Sequence, residues 1–275
     1  MLVNGKHLNT VEVSDRGLAY GDGLFESILL HHGSPVLLQT HLQRLQRGCH
    51  RLAIPDCGAE LEQDIAVLQA RFPDSGVLKI IITRGVGGRG YMPARDMSPT
   101  RILTLHSLPD FSPRQPQHGI DAFVCSQRLA RQPSLAGIKH LNRLEQVMAG
   151  LEWPGDNILE GIMLDTEDLV IEGTRSNIFL AEAGRLITPD LHNCGIEGVM
   201  RNILLESFDT ESIAMEACSL QRLLEAEEVF VCNSVWGIWP VKNLHLQDQV
   251  RRYNPGRFSD RARQIFEEIL TANAP

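Results

Sequence analysis

Alternating apolar and polar residues predict three strands in the first part of the chain, at 27–30, 77–83 and 102–105. The stretches at 40–53 and 59–71 have the spacing of amphipathic helices. In the first of these, the apolar stripe consists of Leu42, Leu45, Cys49 and Leu52. Mixed strands and helices of this kind predict an α+β domain over residues 1–110.

A proline-rich segment at 111–119 interrupts this pattern and predicts a linker between two domains. A strand is predicted at 120–125, and four short apolar runs with turn residues between them follow: GIMLD, LVIEG, NIFLA and RLITP. Such spacing is typical of an antiparallel meander that curls into a barrel-like sheet. The second domain is therefore expected to span residues 120–275.

Composition and charge restrict the class of protein. The 275 residues include 26 basic and 34 acidic side chains, a net charge of −8, and no basic block, which argues against a nucleic-acid partner. No apolar run approaches the ~20 residues that span a bilayer. The six cysteines form no CxxC pair, and no cluster has metal-site spacing. We expect a soluble cytoplasmic protein with reduced thiols, no bound metal and no membrane contact.

Lys139 is the first candidate for chemistry. It follows the flexible step Ala136-Gly137 and precedes a predicted helix, for which Asn142 and Glu145 form a capping box. An ammonium group is disfavoured at the positive end of a helix. Such a place suits a lysine that loses its proton and acts as an amine nucleophile, although a solvated loop lysine is the alternative.

Two further segments have candidate polar groups. Glu172 ends the apolar run LVIEG and shares a strand face with Val170, so it is expected to point inward and to need a partner. A solvated strand end is the alternative. Gly195 and Gly198 precede an amphipathic helix, whose first N–H groups can bind a phosphate, although most such helices bind nothing.

Arginines supply the remaining candidates. Arg44 lies off the apolar stripe of the helix at 40–53, where it can contact a phosphate or remain solvated. The segment TRGVGGRGYMPAR at 83–95 has four glycines and three arginines. This composition suits a loop that closes on a carboxylate, and a long hairpin connection is the alternative.

Motifs along nearly the whole chain resemble the fold-type IV pyridoxal-phosphate enzymes, which include branched-chain and D-amino-acid aminotransferases and 4-amino-4-deoxychorismate lyases. In family order they are VSDRGLAYGDGLFES, HLQRL, ITRGVGGRGY, LAGIKHLNRLEQV, EGTRSNIFL, GIEGVMR and EEVFVCNSVWGIWPV. The segments RGVGGRGY and IKHLNRLEQV are most similar to the lyases. The resemblance implies the two-domain fold-type IV architecture.

The resemblance also implies how a cofactor, pyridoxal 5′-phosphate, is bound. Lys139 would carry the cofactor and act as acid and base, and Glu172 would face the pyridine nitrogen and keep it protonated. The phosphate would be bound by Arg44, by the backbone N–H groups of Ile196 and Glu197, and by Ser234 or Asn233.

The implied reaction, in folate biosynthesis, converts 4-amino-4-deoxychorismate to 4-aminobenzoate and pyruvate in a homodimer. The candidates for binding the two substrate carboxylates are Arg84, Arg89, Tyr91 and Arg95. Ser27 is the candidate acid for the departing pyruvate. Asn142, Arg143 and Leu144 stand where the aminotransferases have a tyrosine. A branched-chain or D-amino-acid aminotransferase is the alternative, and a non-catalytic pyridoxal-phosphate or metabolite-binding protein is a second.

Overall fold

The computed structural model describes residues 1–110, 118–247 and 249–273. The chain divides into two compact units. The first unit consists of Met1–Pro109, Ile138–Asn142 and Leu270–Pro275, and the second of Asp110–Gly137 and Arg143–Ile269. Most of the predicted linker at 111–119 lies outside the described residues. The domain boundaries given above stay predictions, and the grouping of Ile138–Asn142 with the first unit was not among them.

Five strands and three helices lie in residues 1–109 of the first unit, a part that the structure describes throughout. The strands are β1 (Leu2–Val3), β2 (Gly23–His31), β3 (Ser34–Pro35), β4 (Ser75–Thr83) and β5 (Thr100–His106). The helices are α1 (Arg16–Tyr20), α2 (Leu38–Arg51) and α3 (Gly58–Gln69). The sheet order is β1-β5-β4-β2-β3, with antiparallel pairing throughout. The strands and helices predicted in this part of the chain are confirmed.

The core of the first unit forms between β2 and α2. Leu24 and Ile28, both at most 2% exposed, project from β2 and cluster with Leu45 and Cys49 of α2. Each such aliphatic side chain contributes roughly 1.5–3 kcal/mol by leaving water. Strand alternation places Glu26 between Leu24 and Ile28 on this same buried face. A carboxylate is thereby brought into the core of the unit.

The described residues of the second unit form ten strands and four helices, except that the last three residues of the fourth helix belong to the first unit. The strands are β6 (Ile120–Leu129), β7 (Ile158–Asp165), β8 (Leu169–Gly173), β9 (Asn177–Glu182), β10 (Arg185–Pro189), β11 (Ile213–Glu216), β12 (Cys218–Ser219), β13 (Glu228–Asn233), β14 (Gly237–His245) and β15 (Val250–Arg252). The helices are α4 (Leu144–Gly150), α5 (Val199–Ser207), α6 (Leu220–Glu225) and α7 (Arg257–Ala272). One helical segment was predicted correctly to follow Gly198, where α5 begins.

The ten strands form one sheet in the order β11-β10-β9-β13-β14-β6-β7-β8-β12, with β15 paired to β14. The α+β class is confirmed, but the sheet is mixed and not a simple antiparallel meander. β6 pairs in parallel with β7 and β14, while β8 pairs with β7 and β12. Parallel pairing of β6 and β7 is possible because the connection at 130–157 includes α4 and is long enough to return to the same end of the sheet.

Aromatic and aliphatic side chains fill the core of the second unit. Phe179 of β9 and Phe230 of β13 are fully buried and stack with ring centroids 5.1 Å apart. Apolar residues occupy both faces of these strands, which explains why NIFLA and the other runs read as nearly continuous apolar segments. Among the described residues, no helix has both the length and the apolar character needed to cross a membrane.

Candidate active site

Lys139 lies in the first unit, where backbone contacts tie it to β2. The Phe25 N–H donates to the Lys139 carbonyl (3.1 Å), and Leu24 forms an isolated β-bridge with His140. The preceding residue, Ile138, is 4% exposed and belongs to the core. The Lys139 Nζ lies 4.4 Å from the centroid of the Phe25 ring. The amine is therefore placed against an aromatic face, and Phe25 is a neighbour that the sequence did not single out.

The capping box predicted after Lys139 is wrong. Helix α4 begins at Leu144, and its N-cap residue Arg143 makes no side-chain cap. The Glu145 carboxylate accepts instead from the Ala130 N–H (2.9 Å). The local sequence resembled a cap because it has the right residue types at the right spacing, but tertiary partners take those side chains. The helix-end argument for an activated Lys139 therefore loses its support.

Arg44 is buried in an ion pair. Its Nε donates to Glu26 Oε1 (2.8 Å) and a terminal nitrogen donates to Oε2 (2.5 Å), while His41 Nδ1 lies 2.7 Å from the same Oε2. Burial alone would raise the pKa of Glu26, but the Arg44 charge and the His41 hydrogen bond outweigh it and lower the pKa to about 2. Glu26 is ionised, and Arg44 provides the balancing positive charge.

The burial of Arg44 differs from its predicted position on the exposed side of α2. The reason is Glu26, which projects from β2 towards α2 and requires a cation there. Burial also lowers the pKa of His41, in the same direction as the charges of Arg44 and Lys139, whereas the Glu26 carboxylate acts to raise it. The contact of Arg44 with a cofactor phosphate stays a prediction.

Ser27 lies on β2, opposite Lys79 of β4, and is half-buried. Strand alternation places it on the same face as Phe25. Ser27 therefore belongs to the strand face whose aromatic ring contacts Lys139. Its role as an acid stays a prediction.

Arg84, at the start of the glycine-rich loop, is held by structural contacts. Its Nε and one terminal nitrogen donate to the two carboxylate oxygens of Asp22 (2.7 and 2.9 Å). The terminal nitrogens also donate to the carbonyls of Leu52 and Ala53. Burial would raise the pKa of Asp22, but hydrogen bonds and charge from Arg84 and Arg16 lower it overall. These bonds use four of the five N–H groups of Arg84, so it anchors the loop, and a substrate contact stays a prediction.

The rest of that loop exposes its polar side chains. Arg89, Tyr91 and Arg95 are all exposed. The backbone is fastened by Arg16, which is 4% exposed and donates to the carbonyls of Gly90 (3.0 Å) and Tyr91 (3.1 Å). Arg16, which the sequence reasoning missed, shapes the loop. The three exposed side chains are the ones in position to meet a ligand from solvent.

Glu172 is a buried carboxylate of the second unit. It is 2% exposed, its Oε2 accepts from the Ile196 N–H (2.8 Å), and its Oε1 lies 3.5 Å from Gln146 Nε2. Burial lowers the pKa of the nearby Arg143, whereas Glu172 and Glu145 act to raise it. The prediction of an inward-pointing, hydrogen-bonded Glu172 is confirmed.

A tight turn before α5 lies directly against Glu172. Gly195 has φ +88, and an added Cβ would meet Ile171 at 2.8 Å, so only glycine fits here. The N–H groups of Ile196 and Glu197 donate to Glu172 Oε2 and to the Gly137 carbonyl (3.2 Å). To bind these two N–H groups, a phosphate would have to replace both acceptors. The assignment of the Ile196 and Glu197 N–H groups to the cofactor phosphate stays a prediction.

Asn233 and Ser234 occupy the turn between β13 and β14. The Asn233 Oδ1 accepts from the N–H groups of Val235 (2.9 Å) and Trp236 (3.0 Å), and its Nδ2 donates to the Arg175 carbonyl (3.1 Å). Asn233 therefore shapes the turn from both ends of its amide. Ser234 is 9% exposed, and its hydroxyl is the better candidate for a phosphate.

Comparison with known proteins identifies the family to which the chain belongs. Residues 23–244 match the family described as Amino-transferase class IV, and the chain belongs to this family. Aminodeoxychorismate lyase of Vibrio harveyi is 34% identical over 261 residues, which cover 94% of this chain and 96% of that protein. The D-alanine aminotransferase of Bacillus licheniformis is 26% identical over 258 residues, covering 89% and 88%.

Among solved structures, 4-amino-4-deoxychorismate lyase from Pseudomonas aeruginosa matches this chain with a TM-score of 0.91 and 44% sequence identity. The match covers 97% of this chain and 98% of that one. The fold-type IV architecture is therefore shared with a lyase over nearly the whole of both chains.

Enzymes of this family depend on pyridoxal 5′-phosphate, and the residues of this chain fit that cofactor. An amine against an aromatic ring is present at Lys139, and a buried carboxylate suited to a protonated ring nitrogen is present at Glu172. The turn at Gly195, where a Cβ would clash, keeps the backbone close to that carboxylate. Arg44 and Ser234 supply the donor types that bind phosphate.

Proposed function

We propose that this chain is a pyridoxal-phosphate-dependent lyase that converts 4-amino-4-deoxychorismate to 4-aminobenzoate and pyruvate. The observation that carries the proposal is the match over nearly the full length to a lyase structure at 44% identity. Aminotransferases of the family match at lower identity, for example 26%.

The bound cofactor would supply an electron-withdrawing ring that stabilises negative charge on the carbon next to the substrate nitrogen. Glu172 would keep a proton on the pyridine nitrogen, because an ionised carboxylate close to that nitrogen would favour its cationic form. Arg44, Ser234 and the turn at Ile196 and Glu197 would hold the phosphate. Asn233 acts on this site by shaping the turn of Ser234.

Lys139 has two tasks. Its amine would bind the cofactor, and the same amine would remove the proton from C4 of the substrate. Loss of the enolpyruvyl side chain as pyruvate then leaves an aromatic ring, which makes the reaction strongly favourable. The Phe25 ring, whose centroid lies 4.4 Å from Nζ, positions the amine for these tasks.

Other side chains of the first unit would act on the substrate. Arg89, Tyr91 and Arg95 are exposed on the glycine-rich loop and suit the substrate carboxylates. Arg84 contributes by fixing the start of that loop to Asp22. Ser27, on the strand face of Phe25, would protonate the departing pyruvate.

We also propose that the enzyme is a homodimer. Helix α4 and the residue after it expose apolar side chains at i, i+3, i+4 and i+7: Leu144 (77%), Val147 (55%), Met148 (53%) and Leu151 (76%). A stripe with this spacing is an unusual surface for a monomer and suits burial against a second copy. A cytoplasmic location is supported by the six cysteines, all of them free and buried thiols.

The decisive experiment incubates the purified protein with 4-amino-4-deoxychorismate and measures both products. We expect equal release of pyruvate and 4-aminobenzoate, and no turnover by Lys139→Ala. Lys79→Ala, which removes the other ammonium group near the Phe25 ring, is the matched control and should retain activity. Conversion of the cofactor to its pyridoxamine form by D-alanine or a branched-chain amino acid, without pyruvate from 4-amino-4-deoxychorismate, would instead identify an aminotransferase.

A further inference from the structure

The turn between β8 and β9 contains Arg175, an exposed arginine close in sequence to Glu172. Hydrogen bonds fix this turn. The hydroxyl groups of Thr174 and Ser176 donate to the fully buried carboxylate of Glu160 (2.5 and 2.7 Å), and the Thr174 N–H donates to it as well (3.0 Å). The backbone of Arg175 therefore has a defined position.

Two indole rings position the guanidinium group of Arg175. Its Cζ lies 4.9 Å from the centroid of the Trp236 ring and 5.5 Å from that of Trp153. A terminal nitrogen donates to the Leu159 carbonyl (2.7 Å), and Trp236 is itself stacked on Trp239 at 3.8 Å. Cation–π contacts order the long side chain without neutralising its charge. The chain has three tryptophans, and all three belong to this cluster.

The Arg175 turn adjoins the proposed cofactor-binding residues of the second unit. Asn233 Nδ2 donates to the Arg175 carbonyl (3.1 Å), which joins the turn to the one that carries Ser234. On the other side, Glu172 precedes Arg175 by three positions in the chain. The backbone of the Arg175 turn is thus joined to residues proposed to bind the phosphate and the pyridine nitrogen.

We propose that Arg175 is a specificity-determining residue that binds a carboxylate of the substrate. The inference rests on the proposed function, because 4-amino-4-deoxychorismate has two carboxylates to be held. Stacking engages the flat face of a guanidinium group, whereas a carboxylate binds at its N–H edge, so both contacts can occur together. An arginine already ordered by tryptophan loses little further side-chain entropy when it binds.

Steady-state kinetics of the loaded enzyme test this role with Arg175→Gln. We expect KM for 4-amino-4-deoxychorismate to rise about 10- to 100-fold, as for the loss of one charge-assisted hydrogen bond. The dissociation constant of the cofactor should not change. Arg222→Gln is the control: this arginine of the same unit pairs with Glu182 and Glu216. Arg222→Gln should leave KM unchanged.

Equilibrium binding gives a readout that is independent of turnover. Calorimetry on the loaded protein compares 4-aminobenzoate with aniline, which lacks the carboxylate, and separately measures pyruvate. In Arg175→Gln, either the preference for 4-aminobenzoate over aniline or the affinity for pyruvate should be lost, and the affected ligand identifies the carboxylate. The inference is overturned if KM and both binding constants match those of the wild type, or if cofactor affinity falls as much as KM rises. No turnover by the wild type would contradict the proposed function itself, whereas an active wild type with an unaffected variant contradicts only this inference.

Discussion

Arg44 and Glu26 form a buried ion pair in which the guanidinium group donates to both carboxylate oxygens, at 2.8 and 2.5 Å. The pair joins α2 to β2, and the two side chains are 9% and 1% exposed. A buried pair of this kind costs desolvation energy, and removing one partner leaves the other charge uncompensated. The arginine proposed to bind the cofactor phosphate is therefore also part of the core of the first unit.

Glu26→Gln should change how stability depends on pH. The folded protein has a Glu26 pKa of about 2 against a usual value of 4.5, so the carboxylate stabilises the fold above pH 4.5. This contribution, about 3 kcal/mol, is lost as the pH falls from 4.5 to 2. The free energy of unfolding, measured with urea at several pH values, should fall steeply as the pH is lowered in the wild type. In the variant it should fall less steeply. Equal slopes would show that the ion pair does not contribute to the pH dependence of the free energy of unfolding.

Arg44→Lys should weaken cofactor binding while it keeps a positive charge for Glu26. Lysine cannot donate in the bidentate way of arginine, so we expect a loss of about 1.5–3 kcal/mol in cofactor affinity. Equilibrium titration with pyridoxal 5′-phosphate measures the change. Arg101→Lys is the control, because Arg101 also donates to a buried carboxylate of the first unit, Asp64 at 2.7 Å. If both variants lost the same affinity, the effect would come from the fold and not from the phosphate.

Some of these features could be predicted from the sequence. The strands β2 and β4 could be predicted because the spacing of their apolar side chains allows them to be buried together only in an extended strand. Glu172 was predictable because an ionisable group at the end of a wholly apolar strand needs a partner. In both cases the signal lies within a few consecutive residues.

Other features depend on residues that are distant in the chain. Glu26 and Arg44 each look like ordinary surface residues until β2 and α2 pack together and bury both. Asn142 and Glu145 have the pattern of a cap, yet Glu145 bonds to Ala130. The parallel pairing of β6 with β7 could not be predicted, since local alternation fixes which face a side chain occupies but not which strand is the neighbour.

Glu172→Gln should separate catalysis from cofactor binding. A neutral amide cannot keep the pyridine nitrogen protonated, so we expect kcat to fall by at least about 100-fold while the cofactor stays bound. Cofactor content and kcat are measured on the same preparation. Glu160→Gln provides the comparison, because Glu160 is also fully buried, and its carboxylate accepts from the hydroxyl groups of Thr174 and Ser176. That variant should lose thermal stability more than kcat, and the opposite ranking would contradict the assignment of Glu172.

The apolar stripe on α4 predicts the effect of charge on assembly. Leu144→Asp combined with Leu151→Asp introduces two charges at the most exposed apolar positions of the stripe. In a dimer that buries the stripe, these charges would be desolvated without partners and the protein should become monomeric. Sedimentation equilibrium measures the mass. Asp156→Asn changes an exposed charge a few residues after the stripe and controls for solubility. A dimer that persists in the double variant would place the interface elsewhere.

Gly195→Ala should disturb both stability and the position of Glu172. At φ +88 an alanine is strained, and its Cβ would lie 2.8 Å from Ile171 and 2.9 Å from Leu191, so we expect a cost of about 2–4 kcal/mol. The same Cβ would approach Glu172 Oε2 to 3.4 Å, next to the proposed cofactor. Activity should therefore fall even in the fraction that remains folded.

Gly184→Ala isolates the backbone term of that cost. Gly184 also belongs to the second unit and has φ +75, but an added Cβ would meet only the flexible end of Arg257 at 3.4 Å. We expect the free energy of unfolding to fall by about 1 kcal/mol, because the backbone is strained but the added Cβ is not crowded. The kcat should not change, because the proposed active site is not affected. The unfolding free energies and kcat values of both alanine variants separate the cost of backbone strain from the cost of crowding. Equal costs would mean that close packing against Ile171 and Leu191 contributes nothing, and an unchanged kcat in Gly195→Ala would mean that the turn does not position Glu172 for catalysis.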